Sequence, residues 1–472
     1  MSRRPAARIR SIIRSVIRNG YALMALTMAV IIGVSRTVGR WMGPTAGWIV
    51  CAVLGGGLAI RFALTWRARR RFAKQVRTAG TEADAGRYRE ALQLADGAIA
   101  LARKWRFTPD DEVALAFVIR AEALKNAGDK QAALEASARA FSCMCGVERG
   151  HTQLTIFDQL GWLLLDTGHA RKAIPILEAA VGLGHRAQAT TLATAGRLER
   201  AAMACFRVGV HANAAAAFGK AIDLMTKEKG ADALALASPY INLGNCYKRM
   251  QKLEDAERCY REALRLHQVN NAETSEQLST ILLNLGVICA EQGRNEEAEQ
   301  YYGQTLELRV QMLGRNHWRV GNTYNNLAGC RRRVRDFAGA EGYIQQAIEI
   351  LDASPEQLCN AIDTLSRLRE DEGKTEEALA AATRAREIQQ ARPSPDLSEM
   401  ATLFEREAAL AERCGEEERA RESRTHAAEM RQALAAAPPA DRDLTNLPES
   451  LKALEQHLAS SLERVRALGQ PI

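Results

Sequence analysis

The stretch YINLGNCYKRMQKLEDAERCYREA, residues 240–263, decides the fold of this chain. Its large side chains recur at intervals of three or four residues, the spacing that brings them to one face of an α-helix. Small residues interrupt this pattern at Gly244 and Ala256. Two helices can approach closely at such positions, while Leu243 and Tyr260 fill the space around the crossing. The stretch therefore predicts two antiparallel helices joined by a short turn.

The same pattern recurs along most of the chain, so we expect a repeat architecture. Two further copies are strong, and their key residues are Leu282, Leu285, Gly286, Ala298 and Tyr302, then Tyr324, Leu327, Ala328, Ala340 and Ile344. In six weaker copies a turn glycine is followed five residues later by an alanine: Gly86 and Ala91, Gly128 and Ala133, Gly168 and Ala173, Gly209 and Ala214, Gly373 and Ala378, Gly415 and Ala420. Nine repeats result, starting near residues 72, 114, 154, 195, 237, 279, 321, 359 and 401. Their period is about 42 residues, longer by a turn per helix than a 34-residue helical repeat.

The order of large and small positions resembles that of tetratricopeptide repeats. The stretch from Leu313 and Gly314 through His317 to Val320, running on to Ala328, is more specific and resembles the long repeat of kinesin light chains. Trp318 stands where that family usually has a proline. The resemblance implies an all-α, right-handed α-solenoid of tetratricopeptide helix pairs over residues 72–432, with a groove for extended or short helical peptides.

Net charge is unevenly distributed along the sequence. The chain carries a formal charge of +8, but residues 1–74 hold 14 Lys and Arg and no acid, which leaves 50 bases against 56 acids in the remainder. The repeat region is therefore mildly acidic, and the sequence predicts no nucleic-acid partner. Ten cysteines are scattered without a compact framework, which favours reduced thiols. The closely spaced Cys143 and Cys145 leave open a metal site or a redox pair, but the other ligands that a metal would need are absent nearby.

The N-terminal region is basic and apolar in turn. Residues 1–18 form a basic amphipathic segment suited to an anionic membrane surface. Two uncharged stretches follow, Asn19–Ser35 and Trp41–Ile60, long enough to predict a transmembrane helical hairpin within residues 19–71. A cleaved signal peptide is the competing interpretation, although no small-residue cleavage pattern follows the first stretch.

Arginine distribution predicts the orientation of this hairpin. Both flanks are rich in arginine and only Arg36 and Arg40 lie between the two stretches. Basic flanks remain on the cytoplasmic side of a membrane, so we expect a membrane protein whose repeats face the cytoplasm. If the first stretch lies in the interface instead, the repeats face the other side.

The C-terminal region departs from the repeat pattern. Pro438 and Pro439 mark a linker over residues 433–448. An apolar stripe then predicts an amphipathic helix over residues 449–472, which either caps the open end of the solenoid or docks onto another chain.

The sequence contains no recognisable catalytic or metal-binding motif. None of its eight histidines belongs to a metal-binding spacing, and glycine-rich phosphate loops and nucleophile elbows are absent. We therefore expect no catalytic residue, no metal, no cofactor and no enzymatic activity. His317 is expected to cap or pack.

Polar residues of the first helices provide the candidate binding site. Positions 2, 5, 6, 9, 12 and 13 of each first helix point away from the second helix, and asparagines and bases gather there in repeats 5 to 7. The predicted peptide-binding groove consists of Asn242, Asn245, Lys248, Arg249, Asn284, Asn322, Asn325, Asn326, Arg332 and Arg333. Side-chain amides offer a donor and an acceptor to an extended peptide backbone. The alternative is that the asparagines bond neighbouring helices and the bases are merely solvated.

These features predict a membrane-anchored scaffold or adaptor that binds peptide segments of partner proteins. A structural subunit that stabilises a membrane complex through the hairpin is the alternative. The sequence identifies neither the partner protein nor the oligomeric state.

Overall fold

The structure is a computed structural model that describes residues 44–107, 111–143, 150–186, 189–272, 275–393 and 395–436, together with residues 32, 36 and 40. The described residues form helices and turns, with no strand among them. The chain divides into two compact parts, residues 1–147 and residues 148–472.

The first part contains four helices in its described residues. They are α1 (Pro44–Asp84), α2 (Tyr88–Lys104), α3 (Asp111–Asn126) and α4 (Lys130–Cys143). The 41-residue helix α1 runs without interruption through position 71, where the sequence places the end of the hairpin. Its C-terminal half packs into the first repeat, because Phe72 is fully buried and meets the ring of Phe107 edge-on at 5.6 Å.

The second part contains seven helix pairs. The first helices are α5 (Gly150–Asp166), α7 (Thr191–Arg207), α9 (Ala237–Arg249), α11 (Glu276–Glu291), α13 (Trp318–Arg333), α15 (Pro355–Asp371) and α17 (Leu397–Arg413). The second helices are α6 (Ala170–Arg186), α8 (His211–Lys229), α10 (Leu253–Val269), α12 (Asn295–Leu313), α14 (Phe337–Leu351), α16 (Thr375–Gln390) and α18 (Glu417–Ala436). Each helix contacts the next, so the all-α solenoid expected from the repeat pattern is present.

Turn residues explain why the helices end where they do. The six glycines that the sequence places between paired helices all have positive φ, between +76° and +89°. Gln251 and Arg335 occupy the same turn position in repeats 5 and 7 and also have positive φ, 59° and 63°. A left-handed residue terminates a helix, and glycine adopts that conformation without the steric cost of a Cβ atom.

Small residues of the first helices face large residues of the second helices. Gly244 lies against Tyr260 in repeat 5, and Gly286 lies against Tyr302 in repeat 6. The two tyrosines are almost completely buried, at 0% and 3% exposure. Close approach of the helices therefore depends on the absence of a side chain at the glycine, as the sequence pattern indicates.

The predicted transmembrane hairpin is not supported. Within the described ranges, no helix is long and apolar enough to cross a membrane. The second uncharged stretch forms the beginning of α1 from residue 44 onward. The first stretch, apart from residue 32, lies outside the described residues, as do the basic segment 1–18 and the C-terminal segment 449–472.

Candidate functional site

The candidate site lies on the first helices of repeats 5 to 7. Helices α9 and α11 contact each other directly, and so do α11 and α13. The sides of these three helices that point away from their partner helices therefore form one surface, which we call the first-helix face. All ten residues of the predicted groove belong to these helices.

Asn284 links two repeats across this face. The Nζ atom of Lys248 in α9 donates a hydrogen bond to Oδ1 of Asn284 in α11, at 3.3 Å. Asn284 is only 9% exposed. Burial lowers the pKa of Lys248, while the carboxylate of Glu291 acts in the opposite direction. Asn284 therefore positions a half-buried cation between repeats 5 and 6, which supports the structural alternative for this asparagine.

Asn245 is also engaged within the protein. The hydroxyl of Tyr260 donates a hydrogen bond to Oδ1 of Asn245 at 2.7 Å, linking the two helices of repeat 5. This bond satisfies the polar atom of an otherwise fully buried tyrosine. The side-chain oxygen of Asn245 is consequently occupied before any ligand binds.

The remaining asparagines are more available. Asn242, Asn322, Asn325 and Asn326 are half-buried at the surface of the first-helix face. The Oδ1 atom of Asn325 is inaccessible to solvent and has no hydrogen-bond partner. An unsatisfied acceptor of this kind costs about 1–3 kcal/mol, and because the atom is closed to solvent, a bound chain reaches it only if the Asn325 side chain rotates.

The four bases of the predicted groove differ in their surroundings. Arg332 donates a hydrogen bond from Nη1 to Asp371 of repeat 8, although its buried Nε has no partner. Arg249 and Arg333 are exposed. Neither forms an ion pair with an acid in the described part of the chain. These two arginines therefore provide the free positive charge of the face.

Acidic residues on the same face were missed by the sequence interpretation. They are Glu291 in repeat 6 and Glu370 and Asp371 in repeat 8, at helix positions 12 and 13. Basic and acidic residues thus alternate between repeats at these positions. Comparison of helix positions 12 and 13 in every repeat, and not only in the repeats with bases, would have revealed this alternation of charge. Because of these acidic residues, the first-helix face carries less net positive charge than its lysine and arginine residues alone indicate.

Ionic contacts extend along the solenoid beyond this face. Glu370 accepts hydrogen bonds from Arg406 and Arg413 of repeat 9. On the second helices, Glu299 binds Arg331 of the following repeat, and Glu341 likewise binds Arg369. These contacts join successive repeats and have no relation to a groove.

The described residues provide little that is suited to catalysis. They contain no cluster of three or more His, Cys, Asp or Glu side chains that could hold a metal ion. Burial raises the pKa of Cys246 to about 11 and that of Cys259 to about 12, so both thiols are protonated at neutral pH. His317 caps α13, since its Nδ1 accepts a hydrogen bond from the backbone N–H of Arg319 at 3.2 Å.

Comparison with known families identifies the repeat. Residues 191–268 and 277–353 match the tetratricopeptide repeat model. The matched residues include all ten residues of the predicted groove. Among curated proteins, none matches the sequence significantly.

Solved structures with similar folds include RapI and the quorum sensor NprR. The apo form of RapI covers 77% of this chain and 98% of its own length, at 12% identity and a TM-score of 0.57. The apo form of the quorum sensor NprR from B. thuringiensis covers 76% and 98%, at 13% identity and a TM-score of 0.55. A putative kinesin light chain from Podosopora anserina covers 44% and 99%, at 13% identity and a TM-score of 0.39. The likeness to RapI and NprR shows a shared helical-repeat fold.

Proposed function

We propose that this protein is a scaffold that binds extended peptide segments of partner proteins on the first-helix face of repeats 5 to 7. The observation that supports this proposal is the set of half-buried asparagines Asn242, Asn322 and Asn326 on this face, whose side-chain amides form no hydrogen bond within the described residues. A peptide backbone supplies N–H donors and C=O acceptors at regular intervals, so it would hydrogen-bond these amides together.

The ligand carries acidic side chains. Arg249 and Arg333 are exposed on the first helices of repeats 5 and 7, without an acidic partner in the described ranges. Repeat 6 lies between them and contributes Glu291 near Lys248. Two separated positive charges favour a peptide with two acidic positions over a single compact anion.

Selection of peptides from a random library by the full-length protein tests this proposal. We expect enrichment of acidic sequences, and we expect Arg249→Glu together with Arg333→Glu to shift the selection toward basic ones. The control is Lys220→Glu together with Lys227→Glu, two exposed bases of α8 on a second helix. If both double variants select the same peptides as the parent protein, ligands do not bind this face.

We further propose that the N-terminal region attaches the scaffold to a membrane. Large apolar side chains of α1 are exposed, including Val53 at 67% and Ile60 at 63%. The arginine-rich flanks of the uncharged stretches support an orientation in which the repeats face the cytoplasm. A reporter that is active only outside the cytoplasm, fused to the C-terminus, should be inactive; an active reporter contradicts the orientation.

The second candidate is a structural subunit that stabilises a membrane complex through its N-terminal region. The same exposed side chains of α1 favour it. Copurification of partners distinguishes the two functions. A scaffold loses its partners when Arg249 and Arg333 are reversed in charge, whereas a structural subunit loses them when residues 19–60 are deleted. We assign no catalytic role to either form.

A further inference from the structure

Helix α1 extends well beyond the repeat that it begins. The first buried side chain described along it is Ala68, at 5% exposure, followed by the fully buried Phe72. The large apolar side chains that the structure describes before that point are exposed, at 44% for Leu54, 45% for Leu64 and 51% for Trp66. This part of α1 therefore lacks a partner among the described residues.

Four exposed arginines lie beside or after these apolar residues, one before Leu64 and three after Trp66. Arg61, Arg67, Arg70 and Arg71 are all exposed; we call them the arginine collar. They span eleven residues of helix, whose ten steps of about 1.5 Å make about 15 Å along its axis. Successive helix residues are rotated by about 100°, so the four side chains leave the helix in different directions. The four side chains of the collar are consequently spread over about half of the circumference of α1, a wider band than a single stripe.

The collar has no acidic partner. None of its members forms an ion pair within the described part of the chain, and the first acid of α1 is Glu82. The neighbouring Arg69 differs, because it lies 3.8 Å from the carboxylate of Glu112 and over the ring of Phe107. The protein thus uses Arg69 internally and leaves the collar free for an external anion.

Trp66 lies within the collar. The guanidinium of Arg70 is 4.7 Å from the centre of its ring. Tryptophan favours the boundary between water and lipid acyl chains, and arginine binds phosphate oxygens through two parallel hydrogen bonds. Apart from Arg61, apolar side chains, this tryptophan and the remaining collar arginines follow one another along α1 in the order in which a bilayer presents acyl chains, interface and phosphates.

We propose that the arginine collar binds the phosphate groups of anionic phospholipids, with the apolar residues that precede it in contact with the acyl chains. This inference rests on the proposed membrane attachment and adds its lipid chemistry. A second copy of the chain would bring two collars of like charge together, which is unfavourable. A nucleic acid offers phosphates but no apolar surface for Val53 and Ile60.

Flotation of the full-length protein with vesicles tests the collar. We expect stronger binding to vesicles of phosphatidylcholine with phosphatidylglycerol than to phosphatidylcholine alone, and weaker binding at high salt. Each basic residue near an anionic surface contributes about a factor of five in affinity, so Arg61→Gln, Arg67→Gln and Arg71→Gln together should lower affinity about a hundredfold. The control removes three exposed bases of α2 through Arg89→Gln, Arg103→Gln and Lys104→Gln, and should change affinity much less.

The outcomes separate the proposals. Selective loss in the collar variant supports the inference. Equal affinity of the collar variant and the parent protein, or an equal loss in the control variant, overturns it. Equal binding to neutral and anionic vesicles overturns the proposed role of the collar in lipid binding but is consistent with membrane attachment. Absence of binding to both kinds of vesicle contradicts membrane attachment as well. If duplex DNA bound at the collar and displaced the protein from vesicles, the site would be assigned to nucleic acid, and the proposal of a phospholipid ligand would be overturned. Peptide selection by the collar variant should remain unchanged, because the first-helix face is not altered.

Discussion

The backbone of Gly244 lies so close to the ring of Tyr260 that a Cβ atom at this glycine would be 2.7 Å from Cε1 of the tyrosine. The ring cannot easily move away, because it is fully buried and its hydroxyl is bonded to Asn245. The pairing of a glycine in the first helix with a tyrosine in the second therefore sets the distance between the helices of repeat 5.

Replacement of Gly244 by alanine should destabilise the protein. The added methyl group forces the helices of repeat 5 apart, and overpacking of this kind costs about 1–3 kcal/mol. Thermal unfolding measures the effect. Gly342→Ala is the matched control, since nothing lies within 4 Å of a Cβ atom there; it should stabilise by about 0.5–1 kcal/mol through the better helix propensity of alanine. Equal unfolding temperatures for both variants would contradict the crossing geometry.

Substitution of the available asparagines should weaken peptide binding without unfolding. Asn242→Ala together with Asn326→Ala removes two hydrogen-bonding side chains, each worth about 1 kcal/mol, so affinity should fall roughly thirtyfold. Titration of a selected peptide measures the loss. Asn213→Ala with Gln345→Ala, on exposed second-helix positions, should have no effect. An unaltered dissociation constant in the first variant would place the ligand elsewhere.

Asn284→Ala should behave differently from those two substitutions. It removes the oxygen that accepts the hydrogen bond from the half-buried Lys248, so we expect a loss of stability of about 1 kcal/mol in addition to any loss of binding. Urea unfolding of this variant beside Asn242→Ala gives the comparison. Identical midpoints would mean that the contact between repeats 5 and 6 contributes nothing.

Acid should weaken the contact between repeats 7 and 8. Hydrogen bonding from Arg369 lowers the pKa of Glu341 and that of Glu372. Because the folded pKa lies below the unfolded one, the stabilisation is complete above about pH 4.3 and is lost as pH falls through the folded pKa. The parent protein should therefore lose more stability than Glu341→Gln between pH 5 and pH 3 in denaturant titrations. Parallel losses would show that this ion pair does not contribute.

Glu407 should be among the most sensitive positions of the last repeat. Its carboxylate is 3% exposed and accepts hydrogen bonds from Arg386 at 2.7 Å and Arg419 at 2.8 Å. Glu407→Gln removes the buried anion that the two arginines share and leaves each with one more exposed carboxylate, Glu387 for Arg386 and Glu416 for Arg419, which costs about 3 kcal/mol. The exposed Glu422→Gln on α18 should change stability by less than about 0.5 kcal/mol. Calorimetric unfolding of both variants tests the difference.

The regular spacing of large and small residues allowed the helix pairs to be predicted from the sequence. Gly244 and Gly286 could be assigned to helix crossings because only a residue without a side chain permits the approach that a large residue sixteen positions later requires. The turns between paired helices could also be predicted from their glycines, since a left-handed backbone conformation strongly favours glycine. The left-handed conformation of Gln251 and Arg335 could not be predicted in this way, because both residues carry side chains.

The sequence by itself thus determined the helix pairs, their order and the residues that fill each crossing, because these depend on spacing within about 42 residues of one chain segment. Only the tertiary structure decided which groove residues are free. Asn284 and Asn245 are engaged by Lys248 and Tyr260, and Arg332 is paired with Asp371. The contacts of Asn284 and Arg332 join neighbouring repeats, so they depend on how far one repeat is shifted and rotated against the next. That displacement is set by side-chain packing at each interface, which the position of a residue within its own repeat does not encode.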